Sequence, residues 1–166
     1  MSGRILVTGA GGYIGSAIVA HLAEKNWKVR AFGHDTRFAD LARLASGDVD
    51  FHPGELLDAD SLAGALDGVE AVVHTASFAG ERACRADIPG AIRTIVRGTR
   101  LLVEQSRLAG VERFVHLSTY AVYSTFATRE MPLSETSELL PDDLYGSLKA
   151  EAEWEAARAN AAILRL

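Results

Sequence analysis

The sequence is poor in cysteine, with Cys84 the single one among 166 residues. No disulfide can form within the chain, which fits a reducing compartment. We interpret Cys84 as a plain packed thiol, and His116, inside a predicted strand, as a packed side chain. No metal site is predicted, because metal-ligand spacing is missing from the five histidines His21, His34, His52, His74 and His116.

Basic charge is also scarce, since 17 Lys and Arg stand against 22 Asp and Glu. A nucleic-acid-binding protein normally carries a basic stripe, so this balance argues against that partner. No run of like charges suggests a membrane-binding tail. No apolar run approaches the ~20 residues that span a bilayer, and the N-terminal residues do not resemble a signal peptide. We therefore expect a cytoplasmic protein with neither nucleic acid nor membrane as a partner.

Linkers and low-complexity segments are missing too, so we interpret residues 1–166 as one domain. Runs that are apolar along their whole length predict strands at residues 4–8, 28–32, 49–52, 71–75, 113–118 and 162–166. Amphipathic stretches between them predict helices at residues 13–25, 36–45, 61–66, 88–108 and 142–160. This alternation is typical of an α/β protein with a doubly wound parallel sheet and helices on both faces.

Three glycines, Gly9, Gly12 and Gly15, lie between the first predicted strand and the first predicted helix. They allow a sharp turn, a close approach of the backbone to a pyrophosphate, and tight packing of the helix on the sheet. The helix N-terminus then faces the anion. The pattern predicts a bound dinucleotide, with a ligand-free glycine turn as the alternative. An acidic residue that binds the adenosine ribose normally follows about 20 residues later, and Asp35 lies near that place.

Tyr145 and Lys149 are four residues apart within a predicted helix, so they lie on one face a turn apart. A free tyrosine has a pKa of about 10 and is a poor acid–base catalyst near neutrality. A nearby ammonium would lower that pKa. The pair could then exchange a proton with a substrate oxygen while hydride moves at the adjacent carbon. The alternative is a solvated helix face.

A pair of hydroxyl residues, Ser118 and Thr119, ends the fifth predicted strand. A hydroxyl at this position would point into the cleft at the carboxyl edge of the sheet and could donate a hydrogen bond to the same substrate oxygen. The alternative is a hydroxyl that caps the local backbone.

Together these motifs resemble the short-chain dehydrogenase/reductase superfamily, specifically its extended branch of NAD-dependent epimerases and dehydratases. Residues 8–15 match the TGxxGxxG of that branch, and Tyr145 and Lys149 match its YxxxK pair. Three further stretches are similar to its GDLxD segment, its VVHLAA strand and its strand with the catalytic Ser or Thr, namely residues 54–58, 72–77 and 115–119. The resemblance covers essentially the whole chain.

The resemblance implies a Rossmann fold and a role for each matching residue. Tyr145 would be the acid/base, Lys149 would lower its pKa and hold the nicotinamide ribose, and Thr119 would bind the substrate oxygen. The implied contacts to NAD or NADP are Gly9, Gly12, Tyr13, Ile14, Gly15, His34, Asp35, Glu55, Leu56, Thr75, Ala76, Ser77 and Lys149.

The implied activity is that of an epimerase, dehydratase or reductase that acts by hydride transfer on a nucleotide-sugar. A reductase of small carbonyl compounds is one alternative. A non-catalytic NAD(P)-sensing protein is another, although such proteins typically lack the Tyr and Lys pair. A homodimer formed through the helices at residues 88–108 and 142–160 is also implied.

Two departures from the family pattern bear on these expectations. The second strand usually ends with Asp for NAD, or carries an Arg for NADP, where this chain has Gly33 and His34. Asp35 could replace the Asp, and His34 and Arg37 could accommodate a phosphate; we favour NAD. Family members also continue beyond the sixth strand into a substrate-binding lobe. We therefore expect this chain to be a poorly active fragment of a longer protein.

Overall fold

The computed structural model describes residues 3–34, 47–123 and 132–166. Its six parallel strands form one sheet in the order β3-β2-β1-β4-β5-β6. They are β1 (Arg4–Thr8), β2 (Lys28–Gly33), β3 (Val49–Pro53), β4 (Val69–His74), β5 (Arg113–Ser118) and β6 (Ala162–Arg165). The strand order reverses where β1 lies beside β4, and a crevice opens there at the carboxyl ends of the strands. The predicted Rossmann fold is confirmed.

Helices connect the strands. They are α1 (Tyr13–Glu24), α2 (Ala59–Leu66), α3 (Glu81–Ala86), α4 (Ile88–Ala91), a π-helical segment (Ile92–Gly98), α5 (Thr99–Leu108), a 3₁₀ turn (Tyr120–Val122) and α6 (Leu144–Ala157). The predicted helix at residues 36–45 lies outside the described residues. None of the described helices is long and apolar enough to cross a membrane.

Side-chain caps account for two helix starts that the predictions misplace. The Asp58 carboxylate accepts a hydrogen bond from Asp60 N at 3.0 Å, so α2 begins at Ala59 rather than at residue 61. Asp143 accepts from Gly146 N at 2.6 Å, so α6 begins at Leu144 rather than at residue 142. Ionised acceptors at these positions satisfy N–H groups that the first turn leaves free.

The predicted helix at residues 88–108 is not one uniform helix, because the π-helical segment Ile92–Gly98 interrupts it. Two contacts lie at the end of this segment. A Cβ at Gly98 would lie 2.5 Å from Leu56 Cδ2, so a larger residue there would require the Leu56 side chain to move. The Thr99 hydroxyl donates to Ile95 O at 2.6 Å. Apolar periodicity cannot reveal so short a change of helix type, which explains the incorrect prediction.

The core forms on both faces of the sheet, because successive side chains of a strand point in opposite directions. Leu6 on β1 packs in one cluster with Leu62 of α2 and Leu102 of α5. Its neighbour Val7 packs in a second cluster with Val19 of α1. This two-sided burial explains why the strands read as continuous apolar runs rather than alternating ones.

We expect Leu6→Ala to lower the free energy of unfolding by about 2–5 kcal/mol, because it leaves a cavity beside the centre of the sheet. Leu6 is fully buried, whereas Leu108 at the end of α5 is 80% exposed. Leu108→Ala is therefore the matched control and should change stability by less than about 0.5 kcal/mol. Urea unfolding followed by circular dichroism measures both. Equal losses in the two variants would contradict the assignment of Leu6 to the core.

Candidate active site

A cleft of about 340 Å³ opens at the carboxyl ends of the central strands. The lining residues come from the turn after β1, the end of β2, the segment after β3, the segment after β4 and the π-helical segment. They are Gly9, Gly11, Gly12, Phe32, Gly33, His34, Gly54, Glu55, Leu56, Leu57, Thr75, Ala76, Ser77 and Thr94. This is the crevice where open α/β sheets bind their ligands.

The glycine turn at one wall of the cleft is close-packed. Gly9 has a φ of +67°, and a Cβ there would lie 2.7 Å from the Ala76 backbone. A Cβ at Gly15 would overlap the Gly9 carbonyl oxygen. Gly12 N donates to that same oxygen at 2.9 Å and caps α1 without a side chain of its own. The turn therefore brings the bare N-terminus of α1 to the cleft, an arrangement suited to an anion.

Most of the predicted cofactor contacts line this cleft. Gly9, Gly12, His34, Glu55, Leu56, Thr75, Ala76 and Ser77 do so. Gly15 instead packs behind the turn. Tyr13 and Ile14 begin α1 outside the lining residues, and Tyr13 is 95% exposed. Asp35 lies outside the described residues.

Sequence reasoning missed several lining residues, and only some carried a signal. Phe32 and Gly33 end a predicted strand at the ligand-binding edge, so their position could have indicated a contact. Thr94 lies in the middle of a predicted helix and carried none; the π-helical segment brings it to the cleft.

One end of the cleft carries an exposed contact between a histidine and a carboxylate. His34 Nδ1 lies 3.2 Å from Glu55 Oε1, and both side chains are mostly exposed. An exposed pair of this kind adds little stability. It does place a carboxylate at the end of β2, the position where NAD-binding folds hold an acidic group.

Tyr145 occupies the first turn of α6, where several contacts hold it. Its backbone N–H donates to Glu81 Oε2 at 2.8 Å, which links α6 to α3. Ser77 and Thr119 lie beside its hydroxyl and, as hydrogen-bonding neighbours, lower its pKa. The structure thus brings Tyr145 near Thr119 and also near Ser77 on the cleft wall.

The pKa of Tyr145 departs from the sequence-based expectation. Burial raises this pKa, as do the nearby Cys84 and Asp143, while the hydrogen bonds from Ser77 and Thr119 lower it in part. The prediction that the Lys149 ammonium lowers the pKa is therefore wrong for this structure. Desolvation of the phenolate raises the pKa by more than Ser77 and Thr119 lower it.

Lys149 is buried one turn further along α6, with 4% of its surface exposed. Its Nζ donates to Leu117 O at 2.5 Å and lies 3.5 Å from His116 Nε2. Burial lowers the pKa of Lys149 to about 8, although Glu153 acts in the opposite direction. The ammonium is thus held by the backbone and a side chain of β5, close to the end of that strand.

The two hydroxyls at the end of β5 have different partners. Ser118 donates to Glu153 Oε1 at 2.5 Å and is directed away from Tyr145. Thr119 accepts from Ala121 N at 3.3 Å and caps the 3₁₀ turn, so the capping alternative also holds. Thr119 is therefore the hydroxyl of this pair that reaches Tyr145.

A buried ion pair, which sequence reasoning missed, supports this strand end. Arg165 on β6 lies over Glu153 of α6, with Nη2 2.7 Å from Oε2 and Nε 3.0 Å from Oε1. Arg165 Nη1 also donates to the Tyr123 hydroxyl at 2.5 Å. The hydrogen bonds to Glu153 hold the pKa of Arg165 above its usual range. The sequence held one indication that Glu153 belongs to the site, because it lies four residues after Lys149 on the same helix face.

Two buried histidines lie beneath Lys149. His74 is held at both ring nitrogens, with Nδ1 2.7 Å from Thr8 Oγ1 and Nε2 2.9 Å from Thr99 Oγ1. Its ring centroid lies 5.3 Å from that of His116. Burial, followed by the Lys149 charge, lowers the pKa of His74 to about 3. Burial, His74 and Lys149 lower the pKa of His116 to about 2.

Comparison with known proteins gives consistent matches. The model of the NAD dependent epimerase/dehydratase family matches residues 5–165. Sterol demethylase protein B of Methylococcus capsulatus is 41% identical over 115 residues, which are 69% of this chain and 34% of that protein. UDP-glucose 4-epimerase of Streptomyces lividans is 32% identical over 154 residues, which are 90% of this chain and 45% of that protein.

A solved structure agrees with these matches. The dTDP-glucose 4,6-dehydratase of Streptomyces venezuelae, crystallised with NAD bound, has a TM-score of 0.88 and 32% identity. The alignment covers 98% of this chain and 55% of that one. This chain therefore spans about half the length of the proteins it matches, or less.

We expect acid to destabilise the fold through His74 and His116. Both have a folded-state pKa far below 6.5, so below pH 6.5 the unfolded chain binds protons that the folded chain does not. The contribution of the two histidines should be complete well above pH 6.5 and should be lost toward pH 3, by about 2–3 kcal/mol per pH unit near pH 5. Urea midpoints measured at several pH values test this. The control is the double variant His74→Gln/His116→Gln, and an equal pH slope in that variant would contradict the assignment.

Proposed function

Since the chain belongs to the NAD dependent epimerase/dehydratase family, we propose that its cleft binds NAD and serves hydride transfer on a nucleotide-sugar. The observation that carries the proposal is the proximity of the Tyr145 hydroxyl to Thr119 at the end of β5 and to Ser77 after β4. Ser77 belongs to the cleft wall. An acid–base residue is thereby joined to the place where a dinucleotide would lie.

The glycine turn fits the pyrophosphate of a dinucleotide. Side chains at Gly9 and Gly15 would overlap the backbone of Ala76 and of Gly9, so only glycines let the turn adopt this shape. The N-terminus of α1 has no side-chain cap, so its N–H groups are free to donate to an anion. When bound, NAD supplies a nicotinamide that accepts or returns a hydride.

Tyr145 is the group that would move the proton. To take a proton from a substrate hydroxyl, it must first lose its own, and its raised pKa opposes that step. The hydrogen bonds from Ser77 and Thr119 favour the phenolate. Lys149, one turn away, is the ammonium that would hold the nicotinamide ribose.

The nucleotide-sugar is favoured by the epimerase and the dehydratase among the similar proteins. A second candidate substrate, the hydroxyl or ketone of a sterol, is favoured by the Methylococcus protein, whose identity to this chain is 41%. The Tyr145 chemistry serves either substrate, since both present an oxygen on the carbon that exchanges hydride. Assays with UDP-glucose, dTDP-glucose and a 3-hydroxysterol separate the two candidates.

The homodimer through residues 88–108 and 142–160 stays a prediction. Exposed apolar side chains on both segments support it, since Trp154 on α6 is 78% exposed and Ile88 at the start of α4 is 44% exposed. Exposed apolar patches are typical of contact surfaces.

We expect Gly15→Ala to weaken NAD binding by about ten- to hundredfold, because its Cβ would overlap the Gly9 carbonyl oxygen and push the turn into the cleft. The matched control is Gly64→Ala on α2, where a Cβ would meet His52 at 3.7 Å, an ordinary contact. Isothermal titration with NAD measures both variants. The proposed cradle would be wrong if Gly15→Ala bound NAD as tightly as the control.

We expect Tyr145→Phe to lower the turnover of the preferred substrate by about 10²–10⁴-fold, because it removes the proton-transfer group. The affinity for NAD should change little, since Tyr145 is assigned to the substrate oxygen and Lys149 to the cofactor. Product formation followed by chromatography, together with NAD titration of the same samples, separates the two effects. The matched control is Tyr120→Phe, at an exposed residue of the 3₁₀ turn. Undiminished turnover in Tyr145→Phe would refute the catalytic assignment.

A further inference from the structure

His116 is buried on β5 and has an unusual set of partners. One ring nitrogen, Nε2, lies 3.5 Å from Lys149 Nζ. The other, Nδ1, is shielded from solvent and has no hydrogen-bond partner among the described residues. A buried polar atom without a partner is costly, and such atoms are few in native proteins. The family assignment and the proposed roles of Tyr145, Thr119 and Lys149 leave this histidine without a function.

The direction of the hydrogen bond follows from the chemistry of the two groups. An ammonium donates and cannot accept, so Nε2 must be the acceptor toward Lys149. The imidazole proton then resides on Nδ1, the nitrogen without a partner. The ring has to remain neutral to accept, and its burial beside Lys149 and His74 keeps it so, because all three effects lower its pKa.

His74, on the neighbouring strand β4, packs against the ring of His116. Thr8 and Thr99 bind its two ring nitrogens and fix its orientation, while its ring lies 5.3 Å from that of His116. Glu153 lies one turn further along α6 and pairs with Arg165. Its carboxylate still favours the charged form of Lys149, while burial opposes it.

We propose that His116, backed by His74, is a positioning residue that accepts a hydrogen bond from Lys149 and holds its ammonium against β5, one turn along α6 from Tyr145. This inference rests on the proposed function, because it assumes that Lys149 binds the nicotinamide ribose. Leu117 O supplies the second acceptor from the same strand. With two acceptors fixed by β5, the remaining N–H of the ammonium is free for the cofactor.

The test is His116→Leu, which removes the acceptor, compared with His116→Gln, which retains one of similar reach. We expect His116→Leu to weaken NAD binding about three- to tenfold, the effect of one lost hydrogen bond, and His116→Gln to restore most of it. The matched control is His21→Leu, at an exposed position in the last turn of α1. If His116→Leu does not fold, His116→Asn takes its place, because its shorter side chain cannot reach Lys149.

A second readout excludes a merely structural role. In wild-type protein labelled with ¹³C at lysine Cε, the Lys149 resonance should titrate with a midpoint of about 8. The midpoint should fall in His116→Leu, because the charged form loses an acceptor, and return toward the wild-type value in His116→Gln. An unchanged midpoint with unchanged NAD affinity would overturn the proposal.

Lys149→Met distinguishes failure of the positioning role of His116 from failure of the proposed function. If Lys149→Met weakens NAD binding while His116→Leu and His116→Asn do not, the positioning role of His116 is wrong and the proposed function stands. If Lys149→Met leaves NAD binding intact, the proposed ribose contact fails, and the inference about His116 fails with it.

Discussion

The buried ammonium of Lys149 is the constraint on which the arrangement of the site depends. A charge removed from water must be compensated by close hydrogen-bond acceptors. Here these are a carbonyl oxygen and an imidazole, both on β5. A carbonyl dipole and a neutral ring leave the amine its charge near neutrality without forming a closed ion pair. The amine therefore remains able to interact with a further group.

Helix α6 carries the chemistry, and it is fixed at several points along its length. Asp143 caps its first turn, Glu81 binds the backbone of Tyr145, and Glu153 joins its last turns to β6. Each attachment is an ionised side chain on a backbone N–H or a guanidinium, the stronger kind of hydrogen bond. These contacts fix the position of the helix along the sheet and so keep Tyr145 beside Thr119.

Features set by local sequence could be predicted, whereas those set by tertiary contact could not. The bounds of β5 at residues 113–118 and the glycine turn followed from local patterns, because apolar runs and glycine spacing act over a few residues. The short helix α3 has no apolar periodicity, and the partners of Glu153 lie up to 35 residues away. Neither the helix α3 nor the partners of Glu153 could therefore be predicted from local sequence.

The pKa of Tyr145 shows the same limit within the site. Its spacing from Lys149 correctly indicated two groups on one helix face. The sign of the pKa shift, however, depends on how deeply the phenol is buried and on which groups accept hydrogen bonds from the Lys149 ammonium. Both are decided by α3, β5 and the segment after β4, which pack around α6 from distant parts of the chain.

The π-helical segment at residues 92–98 has a consequence for how the chain tolerates change in length. A π-helical turn amounts to about one residue more than an α-helical turn. One residue of an α-helix corresponds to a rotation of about 100°. The wider turn therefore holds one extra residue without changing the phase between Thr94, which lines the cleft, and Leu102, which packs in the core. Loss of one residue here would let a regular α-helix join the same two positions in the same orientation, so the irregular turn makes the chain tolerant of a one-residue deletion at this place.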